Sequence, residues 1–164
     1  MIVISDTTPI ISLLKTGHLG LLNQLYQQVC VPQAVWRELT GNPAYLEEAK
    51  IIETANFLSV VNIENTKSVN ILRSVTGLDA GESEALILFD EQNANLLLMD
   101  ERKGRSVAKQ LHIKHIGTAG ILMLAYDRNL ISAAEVKVCI DTMLMSGIRE
   151  STKNYAIQLW STLD

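Results

Sequence analysis

The chain has 164 residues, 48% of them apolar, enough for one domain to bury a self-sufficient core without disulfides or a structural metal. A net charge of −4 argues against a general nucleic-acid binder, and no apolar run approaches the length of a membrane span. The opening MIVISDTTPIISLL lacks the basic start and unbroken apolar run of a secretion signal, so a cytoplasmic protein is expected.

Short β-rich runs alternate with helical patterns along the chain. A first strand over residues 2–5 leads to a helix that Thr8 would cap, with Pro9 at its first position and Ile11, Leu13 and Leu14 following. A second strand over 28–31 precedes PQAVWREL, which Pro32 opens and which carries Val35 and Leu39 on one face. Gly41-Asn42-Pro43 marks a turn, and residues 41–78 should hold two helices around a third strand over 58–63. Asp79 and Glu82 have the spacing of a capping box ahead of ALILF. Strands over 95–99 and 112–116 follow. Gly117-Thr118 then precedes AGILMLAYDR, Ser132 precedes AAEVKVCIDTMLM, and a last helix is expected from about residue 150. The strand runs are continuously apolar rather than alternating, as in strands covered on both faces. The expectation is a single α/β domain over 1–164, a three-layer α/β/α sandwich on a mainly parallel sheet of about five strands.

In open parallel sheets, ligands bind beyond the C-terminal ends of the strands. Two strands run into an acid there, the first into Asp6 and the fourth into Asp100. Each aspartate taken alone has a plain structural reading as a loop or helix cap. Glu38 lies between apolar Val35 and Leu39 near the end of its helix, where a carboxylate is slightly unfavourable, although a surface glutamate fits the same spacing. Glu82 has its capping role, and Asp79 and Glu84 are alternatives as a third acid. Four carboxylates in one cleft repel each other, and a divalent cation removes the conflict. With no clustered His or Cys, all-oxygen donors point to Mg²⁺ or Mn²⁺.

The remaining reactive side chains read as structural. His18, His112 and His115 form no HxH or HExxH pattern. Cys30 and Cys139 lie far apart in apolar surroundings, as buried reduced thiols do. Trp36, Trp160, Met143 and Met145 read as core or partner-facing residues. No GxSxG, Walker loop or GxGxxG is present. Arg102, Lys103, Arg105, Lys109 and Lys114 gather five of the 14 basic residues. They form either a solvated helix face, with Glu101 and Arg105 as an i,i+4 pair, or a set of phosphate contacts beside the cleft.

The blocks VISDTTPIISL, VCVPQAVWREL, LDAGESEALIL, LLLMDERKGRSVA and IGTAGILMLAYDRNLI occur in the order of the PIN-domain ribonucleases. They resemble most the VapC-like toxins of prokaryotic toxin–antitoxin pairs, over nearly all of residues 1–150. The resemblance implies a metal-dependent endoribonuclease that leaves a 5′-phosphate, with Asp6, Glu38, Glu82 and Asp100 as metal-binding and catalytic acids. Thr118 falls where the family often places a small polar residue near the metal, and Glu101 follows Asp100 directly and can share its role; in the mechanism this suggests, Ser5 and Thr7 are expected to orient the carboxylates. Arg102, Lys103 and Arg105 become candidate RNA phosphate contacts. The more common pattern has aspartate at the third acid, which leaves Asp79, Glu82 and Glu84 open. Expected partners are RNA, an antitoxin and a second copy of the chain. Residues 21–26 and 140–145 supply either that homodimer face or core. A catalytically silent PIN-like module binding RNA or a partner is the alternative. A receiver domain would need an acidic pair after the first strand, and a DxDxT phosphatase would need an aspartate at position 8; neither pattern is present.

Overall fold

The structure is a computed structural model that describes residues 1–145; the helix expected from about residue 150, and Trp160 with it, lie outside the described residues. Five strands form one sheet in the order β3-β2-β1-β4-β5, and every pairing is parallel. The strands are β1 Val3–Ser5, β2 Val29–Pro32, β3 Leu58–Val61, β4 Leu96–Leu98 and β5 His115–Ile116. β1 and β4 are neighbours at the centre, with Val3, Ile4 and Ser5 opposite Leu96, Leu97 and Leu98. All six are buried, which explains why these runs do not alternate. β5 is shorter than expected because His112 takes a left-handed φ of 58° where the preceding helix ends, delaying the strand.

Among the described residues, the helices are α1 Thr7–Lys15, α2 Leu21–Tyr26, α3 Gln33–Thr40, α4 Leu46–Thr54, α5 Thr66–Thr76, α6 Ala80–Glu91, α7 Arg102–Gln110, α8 Thr118–Asp127 and α9 Ala133–Met145. A 3₁₀ turn, Pro43–Tyr45, follows Asn42, whose side chain accepts from the Ala44 N–H, so the expected turn and the two helices around β3 are present. Two helix starts differ from expectation. α1 begins at Thr7 with Asp6 in the capping position, so Pro9 is its third residue rather than its first. Proline is tolerated there because the first four helical N–H groups have no intrahelical partner. Pro32 ends β2 in an extended conformation and α3 starts after it. The Asp79–Glu82 capping box is present, and Ser132 and Glu135 make a second exchange of the same kind ahead of α9.

The sheet separates two buried clusters, one formed with α1, α2, α8 and α9 and the other with α6 and α7. Leu21, Leu22, Leu25, Tyr26, Ile140 and Met143 belong to the first cluster, so these stretches are core, while Met145 is exposed. Trp36 packs half-buried on the same cluster. Both cysteines are free, Cys139 buried and Cys30 half-buried. His18 Nδ1 and His115 Nδ1 sit 2.6 and 2.9 Å from backbone carbonyl oxygens, the contacts of structural histidines.

Candidate active site

The central strands deliver Asp6 and Asp100 to the same, C-terminal edge of the sheet. The Asp6 N–H donates to the Leu98 carbonyl at 2.9 Å, extending the β1–β4 register to the acid itself. Only 3% of Asp6 and 8% of Asp100 is exposed. Asp6 follows β1 directly and Asp100 follows β4 after Met99, and a helix starts just beyond each, so both carboxylates are largely withdrawn from water. An aspartate buried this deeply must be protonated, hydrogen-bonded or met by a cation.

Asp6 turns toward α6. A Cβ added at Gly81 would lie 2.7 Å from Glu38 Oε1, too close for the present geometry, and 3.5 Å from Asp6 Oδ1, an ordinary contact, so the missing side chain lets Glu38 approach α6 beside Asp6. The Thr7 hydroxyl donates to Glu38 Oε2 at 2.6 Å and holds that exposed glutamate over the cluster. Burial pushes the Asp6 carboxyl up to about 8, and the charges of Glu82, Asp79 and Glu38 push the same way against the Thr7 backbone N–H. Burial also raises Glu38, opposed by its Thr7 bond and reinforced by Asp79 and Glu84.

The three alternatives for a third acid take different places. Glu82 is buried on the first turn of α6, where Oε2 accepts from the Asp79 N–H at 3.0 Å, and it is the first of the charges acting on Asp6. Asp79 is exposed, and its Oδ1 accepts from the Glu82 N–H at 2.8 Å. Glu84 points to α3, where Oε2 accepts from the Ala34 N–H at 2.8 Å and satisfies one of that helix's orphan donors.

Asp100 turns instead to the start of α8. Its Oδ1 accepts from the Thr118 N–H at 2.7 Å and its Oδ2 from the Thr118 hydroxyl at 2.6 Å. Arg105, from α7, adds its charge, while burial raises the Asp100 carboxyl and wins over these contacts. A Cβ at Gly117 would sit 2.9 Å from Asp100 Oδ1 and 3.2 Å from the Arg105 guanidinium, so this glycine too makes room for the site. The two aspartates thus share an edge, Asp6 beside α6 and Asp100 between Arg105 of α7 and the start of α8. Among the described residues no three His, Cys, Asp or Glu side chains converge into a ready-made metal cage.

The donor set still fits a hard divalent cation. Mg²⁺ is held by one or two carboxylates plus waters rather than by a full protein cage. A cation beside Asp6 would replace the proton that burial and three acidic neighbours otherwise favour.

The other expected site residues fall nearby. Ser5 donates its hydroxyl to the Asp6 carbonyl at 2.8 Å, so it braces the main chain rather than the carboxylate. Glu101 is half-buried at the capping position of α7. Arg102 and Lys103 are exposed on the first turn of α7, and the Lys103 ammonium lies over Gly77 at the C-terminal end of α5. Gly81 and Gly117 were not singled out from the sequence for this role. Their signal is position, one residue before Glu82 and one before Thr118.

A parallel α/β/α domain with buried acids at the C-terminal edge of adjacent central strands defines the class: an open-sheet fold whose candidate site lies at that edge. The sequence model of a family described as a PIN domain matches residues 2–161, and the chain belongs to that family. PIN domains are generally nucleases and typically use divalent metal ions. No curated protein and no solved structure gives a significant match. Among the described residues no helix is long and apolar enough to cross a membrane.

Proposed function

We propose that the chain is an endoribonuclease that hydrolyses RNA phosphodiesters with Mg²⁺ or Mn²⁺, acting in the cytoplasm as the toxin component of a toxin–antitoxin pair. The observation that carries the hydrolytic reading is the crowding of Glu38, Glu82 and Asp79 around buried Asp6, beside a second buried aspartate on the next strand. The order of the sequence blocks supports the toxin assignment, and with it an antitoxin and a homodimer as partners.

In this reading Asp6 and Asp100 hold the ion, with Glu38 and Glu82 orienting its waters. The ion would supply Lewis acidity, activating water and offsetting charge at the scissile phosphate. Thr7 fixes the Glu38 carboxylate, and Thr118 fixes both oxygens of Asp100, so little reorganisation is left for the reaction itself. Arg105 sits beside Asp100, and Arg102 and Lys103 flank it on α7, where they position phosphates without reading sequence.

The test is cleavage of single-stranded and structured RNA in Mn²⁺ or in EDTA. Cleavage is expected in Mn²⁺ alone and is expected to be lost in Asp6→Asn. Persistence in EDTA, or undiminished cleavage by Asp6→Asn, overturns the metal mechanism. A folded protein that binds RNA or a partner but binds no metal and cleaves no RNA would instead be the silent module.

A further inference from the structure

We infer that the groove between α1, α3 and α4 is a nucleobase subsite, taking a base of single-stranded RNA whose backbone lies at the acids. This inference rests on the nuclease reading above and gives it a substrate-binding element. The groove has a volume of about 250 Å³. Ile11 and Leu14 of α1, Leu39 of α3 and Ile52 of α4 form its apolar walls.

Three features point to a base rather than to another ligand. First, the groove is continuous with the acids through Glu38. That side chain lines the groove, while its Oε1 lies against Gly81 near Asp6 and its Oε2 is held by Thr7. A ligand that fills the groove and reaches the acids therefore needs an apolar face and a phosphate in one molecule. Second, Tyr45 stands on the rim with 54% of its surface exposed, an aromatic ring available for stacking. Third, the polar rim offers groups that pair with base edges. Glu48 places a carboxylate there beside the amine of Lys15, while the Glu38 carboxylate is held at Thr7 and Gly81. Asn42 Oδ1 is taken by the Ala44 N–H at 3.0 Å, which leaves the amide NH₂ as the donor end. Carboxylates accept from exocyclic amino groups, as in glutamate or aspartate contacts to cytosine N4. Adenine, cytosine and guanine carry such a group and uracil does not, so the groove should favour the amino-bearing bases.

The experiment measures binding apart from cleavage. Fluorescence anisotropy with a labelled single-stranded oligoribonucleotide is run on the full-length chain in the Asp6→Asn background, so that the probe stays intact. Tyr45→Ala and Glu48→Ala are compared with that parent, and melting curves confirm that each variant is folded. Tyr45→Ala is expected to weaken binding about tenfold, as loss of one stacked base does. Glu48→Ala is expected to remove the preference of the parent for oligo(A) or oligo(C) over oligo(U). A set of probes, each with one abasic position, should contain one register that weakens the parent and costs Tyr45→Ala nothing further. Binding within twofold of the parent for both variants overturns the subsite. So does equal loss from every abasic probe in parent and variant. A change in oligomeric state on Tyr45→Ala with RNA binding intact would assign the groove to a protein partner, and also overturns it. Cleavage by the unsubstituted chain in Mn²⁺ is measured alongside. Intact cleavage with unaffected variants rejects the subsite alone, whereas absent cleavage rejects the nuclease reading on which it stands.

Discussion

Asp6 works against the stability of the fold when no cation is present. Its carboxyl is pushed up to about 8 in the folded chain, whereas an unfolded aspartate titrates near 4. The folded state therefore holds the proton through a window in which the unfolded state has lost it. Stability is greatest below about pH 4 and declines as pH rises toward about 8, where the penalty is complete. In metal-free buffer, Asp6→Asn should flatten this decline and leave the variant more stable than the parent at pH 8, by several kcal/mol at most. Urea unfolding at pH 5 and pH 8 checks it, and parallel pH dependence in the two proteins would refute the burial argument. Asp100 is treated differently, because Thr118 donates to both of its oxygens. Thr118→Val removes one donor from a buried carboxylate and should cost about 1–3 kcal/mol, measured as a shift in the urea midpoint. The serine variant, which keeps the hydroxyl, should recover most of that loss.

At the scale of the element, the first turn of α6 does two jobs. Asp79 and Glu82 close the capping box, and the same turn brings Glu82 and Gly81 up to Asp6 and Glu38. Glu84, two residues on and so on another side of the helix, belongs to the start of α3. The two glutamates therefore separate in a direct test. Glu84→Ala should cost about 1 kcal/mol, as loss of a helix-end acceptor does, with metal binding unchanged. Glu82→Ala should lose both stability and metal affinity, read by isothermal titration with Mn²⁺. Equal loss of affinity in both variants would put Glu84 back among the site acids. Gly81→Ala tests the approach of α3 to α6: the added methyl displaces Glu38 and should lower activity more than it lowers the melting temperature.

For the whole molecule, the prediction concerns the edge that joins the two layers. Asp6 lies beside α6 and Asp100 at the start of α8, so an ion held by these two residues would link those elements at the sheet edge. Such an ion binds the folded chain alone. Mn²⁺ at one hundred times its Kd should stabilise the protein by about 2.7 kcal/mol, seen as a concentration-dependent rise in melting temperature. Asp100→Asn should abolish the rise, and a rise of full size in that variant would exclude Asp100 as a ligand.

Much of this arrangement was legible in the residues themselves. Continuous apolar runs announced strands covered on both faces, and the parallel five-stranded sheet follows from them. The Asp79–Glu82 spacing specified its capping box, and the strand-end positions of Asp6 and Asp100 marked the edge. These are local properties, set by side-chain type and spacing within a few residues. Other features depend on segments far apart in the chain. The start of α1 at Thr7, the core role of residues 21–26, the bond from Glu84 to Ala34 and the approach of Glu38 to Gly81 all arise when separate elements pack. A carboxylate's type and neighbours in sequence say that it must be paired. Which donor, helix end or acid it meets is decided only when the layers close, because burial and distance set its energy and the chain order does not.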